Sequence, residues 1–541
     1  MALERNFSIQ EVDLDEPRQK GCGVAGIWSP TPVDASELII PGLSAIRGVW
    51  HRGQQGLGVG LQTESGLQKH VKKGAIDEVL TPDLPEKFQS TGKASWILLH
   101  SIYSTYGGQG IENMQPIEAR APDGSTAAVI HNGEFVNTDW MKQQLEQTAT
   151  PIPEEASDTY LFTQILAQSQ GNSWEQRIFD VLSKVNGAYS LIIGAEDKLF
   201  IARDQFGIRP LVIGGIGDKW MAASETWAFH KLGIRPERAV KPGEIIRLDK
   251  NGLKVIREGS NGPGNLCDVE KAYFEMPTST EATYENGSDA DHPENWVSNE
   301  SFRERCGEIL AEEKPFPDVD FVVGIPDSGI AAAHGYANRL RLPYRPAIIR
   351  DHYDPNGRSR IFMRDDLMND LERMVADMSD MERMVLTKLI PIPEPRIWKD
   401  KSVMVIDDTQ MRGIVSRPIT RVLFGLGARE VHLAYAYPPV RYTCHLGASL
   451  RIQHELIAAR HDGDVRKIAQ ESGATSVSYI SSEGFNRAKT ISGIINVPED
   501  PREIFMANGG CGGCVTGIYP ISKEGVIYRA SFQGKKQDPA A

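Results

Sequence analysis

Around residues 279–297 the run TSTEATYENGSDADHPENW is polar, acidic and interrupted by Gly and Pro, and the hydrophobic pattern differs on its two sides. Before it lie short β-type runs (WILLH from Trp96, AAVIHNG from Ala127, YSLIIGA from Tyr189, LFIARD from Leu199, LVIGG from Leu211). Two helical segments break them, TDWMKQQLEQ from Thr138 and SDTYLFTQILAQ from Ser157. This pattern predicts a layered α+β domain from the strand-like CGVAGIW at Cys22 to about residue 262. After the run, helix (FRERCGEILAEE), strand (VDFVVGIP), helix (SGIAAAHGYANRL), strand (YRPAIIR), strand (KSVMVIDD), helix (RPITRVLFGLG) and strand (EVHLAYAYPP) alternate. That order predicts βαβ units, a parallel sheet, and ligands at the carboxyl ends of its strands.

A chain of 541 residues has room for two to four domains. The expected division is a leader at 1–21, a first domain at 22–262, a second at 263–480 carrying the polar insertion 279–297, and a C-terminal tail at 481–541. Within the second domain, the polar segment 354–400 between two strands reads as a mobile lid. A net charge of −13 argues against a dominant nucleic-acid surface, so an anionic ligand must be met by local donors. No run approaches the roughly 18 apolar residues that span a bilayer. The leader MALERNFSIQEVDLDEPRQKG has no apolar core, so it is not a secretory signal and the expected compartment is the cytoplasm. Six cysteines are too few for a disulfide scaffold.

Three patterns carry chemistry. In VMVIDDTQMRGIVS, residues 403–416, an apolar strand runs into Asp407 and Asp408 and then a short loop opens a helix. Paired carboxylates at a strand end call for hydroxyls or a cation. Gly413 frees the backbone so that amides at the helix start can cradle a phosphate. An acidic surface turn is the plainer alternative. The second pattern is the lone cysteine of CGVAG, which by itself is a buried small hydrophobe more often than a nucleophile. The third, NGGCGGC, gives a C-x-x-C pair at Cys511 and Cys514 that could be redox-active, zinc-binding, cluster-binding or idle.

VMVIDDTQMRGIVS resembles the phosphoribosyl pyrophosphate motif of type I phosphoribosyltransferases. CGVAGIW at 22, HRGQQGLG at 51, HNGEFVN at 131, SDTY at 157, ARDQFGIRPL at 202 and ASET at 223 resemble class II glutamine amidotransferases, which are N-terminal-nucleophile hydrolases. Together, from Cys22 to about Pro520, the chain resembles the amidophosphoribosyltransferase family, in its iron–sulfur-containing branch. The resemblance implies an α+β N-terminal-nucleophile (class II glutamine amidotransferase) domain followed by an α/β type I phosphoribosyltransferase domain. The implied reaction converts glutamine and phosphoribosyl pyrophosphate to 5-phosphoribosylamine, glutamate and pyrophosphate, the first step of de novo purine synthesis.

Roles follow residue by residue. Cys22, freed of the leader, would be the nucleophile with its own α-amine as base. Asn132 and the Gly133 amide would form the oxyanion hole, and Asp158 would pair with the glutamine ammonium. Asp407, Asp408, Thr409, Arg412, Gly413 and Ser416 would bind phosphoribosyl pyrophosphate. Arg358 and Arg360 of RDHYDPNGRSRIF would hold its pyrophosphate, and Ser328 of GIPDSGIAAAHGYA would hold magnesium with Asp407 and Asp408. Cys267, Cys444, Cys511 and Cys514 correspond to the ligands of a structural [4Fe–4S] cluster that pins the tail, leaving Cys306 over. Purine nucleotide effectors and a homodimer or homotetramer are also implied.

The chain departs from the family in three places. Ile102 of HSIYST fills the slot of an arginine that clamps the glutamine carboxylate, a loss of about 2–5 kcal/mol unless Arg52 or another cation compensates. Ile414 and Val415 stand where the family has two threonines, each hydroxyl bond to a phosphate being worth about 1.5–3 kcal/mol. Ser416 could replace one of them. His352 replaces an arginine in the longer flexible loop. These changes keep two alternatives in view: a weakened paralogue that regulates by binding nucleotides or a partner, and an ammonia-dependent transferase with an altered substrate.

Overall fold

The computed structural model describes residues 22–89, 92–102, 113–148, 150–260, 264–281, 296–350, 378–448, 450–527 and 535–537. The leader, His352, Arg358, Arg360 and much of the polar insertion lie outside the described residues.

The first unit is built from β1 (Gly23–Asp34), β2 (Gly56–Thr63), β3 (Gly66–Lys73), β4 (Lys93–Ser101), β5 (Ile117–Arg120), β6 (Thr126–Phe135), β7 (Gly187–Ala195), β8 (Lys198–Arg203), β9 (Val212–Ile216), β10 (Lys219–Ala223), β11 (Arg238–Ala239), β12 (Ile245–Asp249) and β13 (Gly252–Arg257). They form two antiparallel sheets, ordered β11-β9-β10-β1-β4-β2-β3 and β13-β12-β8-β7-β6-β5. Val24, Trp28, Trp96 and Leu98 of the first sheet pack on Ala128, Ile130, Ile192 and Ile201 of the second. The outer face of the first is covered by α1 (Ser36–Gly48). The outer face of the second is covered by α2 (Thr138–Gln147), α3 (Asp158–Gln168) and α4 (Trp174–Leu182). Central strands covered on both faces read as continuous apolar runs, which is why WILLH and SLIIGA show no alternation. The result is the expected α+β domain, with four layers.

The second unit holds four parallel strands, β14 (Phe321–Gly324), β15 (Ser402–Asp407), β16 (Glu430–Tyr435) and β17 (Ser476–Tyr479), in that spatial order. Side chains alternate along β15. Met404 and Ile406 join the core under α5 (Asn299–Glu313) and α6 (Gly329–Leu340). Val403 and Val405 join the core under α7 (Ser416–Gly425).

YRPAIIR is a partial correction to the sequence reading. Tyr344 bridges Val322 in parallel, but Ile348–Arg350 then pairs antiparallel with Leu389–Pro391, away from the main sheet. Pro343 and Pro346 lack the N–H groups that a longer parallel ladder needs. Of the segment expected as a lid, residues 354–377 lie outside the described residues, and the rest includes a helix at Asp380–Lys388 whose first turn carries a capping box from Ser379 and Glu382.

The tail folds back onto both units. Leu266–Cys267 pairs in parallel with Gly510–Cys511, and one core contains Ala188 and Ile208 of the first unit, Phe302 and Tyr336 of the second, and Phe505, Val515 and Ile521 of the tail. Among the described residues no helix is long and apolar enough to cross a membrane.

Candidate functional site

Cys22 is partly exposed at the mouth of β1, and the next residues are pinned down. The Gly23 amide donates to Ser101 Oγ at 3.1 Å and the Val24 amide to Ser224 Oγ at 3.0 Å. Val24 lies opposite His100 on β4, and the charge of His131 on β6 reaches His100. The next residues on β6 are Asn132 and Gly133. Asn132 is fully buried, and neither atom of its carboxamide has a hydrogen-bond partner. Buried polar atoms without partners are costly, so this one is poised for a group that arrives later. Gly133 has φ 149° and an added Cβ would overlap the Ala188 carbonyl, so no other residue fits there.

Asp158 begins α3, capped by Ser157 Oγ, which accepts from the Tyr160 amide at 3.1 Å. Its carboxylate accepts from the Phe135 amide at 3.0 Å and the Thr159 amide at 2.7 Å, which fixes it two residues beyond Gly133. His131 Nδ1 lies 2.9 Å from Thr159 Oγ1. Burial pushes His100 down to about 3 and lowers His131.

Arg52 does not sit where a glutamine clamp needs a cation. It is fully buried, its Nε donates to the Cys22 carbonyl at 3.2 Å, and its two terminal nitrogens donate to Glu225 and Glu270 at 2.7 Å. Two carboxylates already neutralise it and solvent does not reach it, so it braces the Cys22 backbone instead. Glu225 also meets His51 Nε2 at 2.8 Å, and although burial opposes it, His51 and Arg52 hold its carboxyl well below the usual range. Ile102 continues the ladder with Gln55 and Gly56 by backbone bonds and offers no charge.

In the second unit Asp407 ends β15. Burial and the adjacent carboxylate push it well above the usual range, and burial raises Asp408 as well. Asp408 accepts from the hydroxyl of Ser328, the residue just before α6, and from Thr409 Oγ1 at 2.6 Å. Two adjacent carboxylates with hydroxyl oxygens beside them form a hard donor set suited to magnesium or to sugar hydroxyls. Among the described residues, the amides from Thr409 to Ser416 donate no hydrogen bond, and they ring the start of α7. Gly413 has φ 84°, which turns the loop. Open amides at a helix start are donors of the kind that suit an anion.

The hydroxyl expected from Ser416 points inward. It donates to the Gly413 carbonyl at 2.9 Å and accepts from Gln410 Nε2 at 3.1 Å, a residue held in turn by Ser472 and Tyr479. Ile414 and Val415 pack on the core beneath α7. Arg412 pairs with Glu455 at 2.6 Å.

Cys267, Cys444, Cys511 and Cys514, far apart in sequence, come together. Cys267 is in register with Cys511, and the Arg441 and Tyr442 amides both donate to the Cys514 carbonyl at 2.9 Å. All four are buried, and their charges act on one another. Burial raises every thiol in the set, Cys267 to about 12. Among the described residues no group of three or more His, Cys, Asp and Glu is placed to hold a metal ion. Cys306, also buried, lies on α5 as a core residue.

The chain matches the glutamine amidotransferase domain family over residues 108–231. It is 33% identical over 499 residues to the amidophosphoribosyltransferase of Bacillus subtilis (strain 168), covering 92% of this chain and 94% of that one. With the amidophosphoribosyltransferase of Homo sapiens it shares 30% identity over 546 residues, covering 93% and 97%. Two solved structures superpose on it at 31% identity. One, described as the allosteric regulatory enzyme of purine biosynthesis, gives a TM-score of 0.76 over 94% of this chain and 98% of that one. The other, the glutamine phosphoribosylpyrophosphate amidotransferase from B. subtilis complexed with ADP and GMP, gives 0.75 over 94% and 99%.

Proposed function

The chain belongs to the amidophosphoribosyltransferase family, and on that premise we propose that its two sites divide one reaction: Cys22 releases ammonia from glutamine, and the loop after Asp407 holds the acceptor. The overall activity is the family's transfer of glutamine nitrogen to phosphoribosyl pyrophosphate in de novo purine synthesis, giving 5-phosphoribosylamine, glutamate and pyrophosphate.

With the leader removed, the α-amine of Cys22, whose ordinary pKa is about 8, takes the thiol proton. The sulfur attacks the glutamine amide carbon, and the oxyanion that forms is met by Asn132 Nδ2 and the Gly133 amide. Collapse returns the proton to the leaving nitrogen as ammonia departs, and water then cleaves the thioester to glutamate. Asp158 holds the substrate ammonium. The observation that carries this reading is the buried, unpartnered carboxamide of Asn132 beside Gly133.

Ammonia passes internally and displaces pyrophosphate from the sugar. A small cavity lined by Ala272, Phe302, Cys306 and Phe485, with Arg303 beside them, reaches Ser328 and Asp408 and has room for a small neutral traveller. The open amides after Asp408 take the 5-phosphate, while Arg358 and Arg360 of RDHYDPNGRSRIF hold the pyrophosphate. Magnesium held by Ser328, Asp407 and Asp408 would neutralise leaving-group charge. A [4Fe–4S] cluster on Cys267, Cys444, Cys511 and Cys514 would tie the tail to both units. A cytoplasmic compartment accords with a chain whose six cysteines are too few for a disulfide scaffold. The ADP and GMP held by the B. subtilis relative make purine nucleotides the effectors to test, on a homodimer or homotetramer.

Ile102 favours a second reading in which free ammonia is the better donor. The test is pyrophosphate release from phosphoribosyl pyrophosphate and magnesium by anaerobically purified protein, with glutamine or ammonium in parallel. Release with both, and glutamate formed from glutamine, supports the full reaction. Release with ammonium alone supports the second reading, and release with neither overturns both.

A further inference from the structure

A chain of buried charges runs from the nucleophile's backbone to the cysteine-rich end of the molecule, and the transfer chemistry leaves it unused. Arg52 Nε holds the Cys22 carbonyl at 3.2 Å. Its NH2 donates to both oxygens of Glu270 at 2.7 Å. Glu270 accepts from Arg209 NH1 at 2.7 Å, and Arg209 NH2 donates to the Leu446 carbonyl at 2.5 Å. Arg52, Glu270 and Arg209 are each fully buried. Glu270 opens a π-helical turn, Glu270–Phe274, three residues after Cys267, and Leu446 lies two residues after Cys444. Glu270 is thus the one carboxylate in this chain of bonds that touches both guanidinium groups.

Resting on the reading of Cys22 as nucleophile, we propose that Glu270 is a positioning residue for the glutaminase site, fixing Arg52 and through it the backbone of Cys22 from the far side of the domain junction. The physical case is directional. A guanidinium bonded at both of its terminal nitrogens cannot swing, so its Nε presents one N–H to one carbonyl. A catalytic group displaced by about 1 Å loses on the order of a hundredfold in rate. Replacing the Glu270 charge frees Arg52 to turn fully toward Glu225 and releases the Cys22 carbonyl. Glutamine itself is not touched, so the effect falls on turnover and on the thiol's approach to an electrophile.

The experiment compares wild type, Glu270→Gln, Glu270→Asp and Arg209→Lys by three readouts: glutamine-dependent kcat and KM, ammonium-dependent pyrophosphate release, and the rate against pH at which iodoacetamide alkylates Cys22. The expected result for Glu270→Gln is a tenfold to hundredfold fall in glutamine kcat and in the alkylation rate, KM for glutamine within about threefold, and ammonium-dependent release within about twofold. Glu270→Asp recovers part of the loss, and Arg209→Lys, remote from Cys22, shows the same selective pattern in milder form. Equal losses with both nitrogen donors in both the Glu270→Gln and Arg209→Lys proteins mark a fold-stabilising ion pair and overturn the proposal. Unchanged glutamine kcat in Glu270→Gln overturns it too. A wild-type protein without glutaminase activity instead overturns the nucleophile reading on which the proposal rests.

Discussion

Replacing Asn132 with alanine separates catalysis from stability in a way few buried substitutions do. The carboxamide is wholly inside the protein and bonds to nothing in the resting state. Removing it leaves a small cavity, costing about 1 kcal/mol. It also relieves the burial of unpaired polar atoms, worth about 1–3 kcal/mol. These terms nearly cancel, so the melting temperature should stay within a few degrees of wild type or rise. The transition state of glutamine hydrolysis, by contrast, loses one of two oxyanion donors, which costs about 10²–10³ in kcat. The assay is glutamate formation under saturating glutamine, with ammonium-dependent pyrophosphate release and a thermal melt on the same preparation. The reasoning fails if glutaminase kcat falls less than about tenfold, or if the variant melts far below wild type, which would make Asn132 a structural residue.

Three further outcomes follow from the geometry. Glu134, buried on β6 and bonded to Arg451 at 2.7 Å, is raised by burial to about 6 despite that arginine. Its contribution to stability is therefore full below pH 4.5 and lost as pH rises through about 6. Relative to Glu134→Gln, wild type should lose about 2 kcal/mol between pH 4.5 and 7 in denaturant titrations, and parallel curves would refute this. Gly413→Val places a β-branched residue at φ 84°, with its Cβ 2.9 Å from Ile457. The strain of about 1–3 kcal/mol should raise KM for phosphoribosyl pyrophosphate about tenfold while leaving glutamate formation alone. Cys511→Ser should purify with iron and acid-labile sulfide well below four per chain, and with a tail cut faster by trypsin; full iron content would remove Cys511 from the cluster.

The sequence carried the positions of chemistry where a local pattern has a single physical meaning. Asp407 and Asp408 end a strand because four apolar residues lead into them, and the loop that follows opens a helix. Asn132 and Gly133 sit on a strand because AAVIHNG is buried on both faces. What was not legible is who meets whom across the fold. Glu225 and Glu270 reach Arg52 over separations of 173 and 218 residues, so HRG and ASET showed charge in apolar settings but not their pairing. Ser416 was read toward the ligand, yet Gln410 draws its hydroxyl beneath the loop, a contact that depends on Ser472 and Tyr479 from a distant segment. Pro41 inside α1 hid a helix that the outer face of the first sheet requires.

The central claim is that Cys22, as the first residue of the mature chain, is the glutaminase nucleophile. Intact-mass spectrometry before and after exposure to a glutamine analogue bearing an electrophilic carbon tests it most directly. The account predicts a species lacking 21 residues that gains one adduct, mapped to Cys22, with glutamine protecting against it. A full-length chain, or an adduct on any other cysteine, would contradict it.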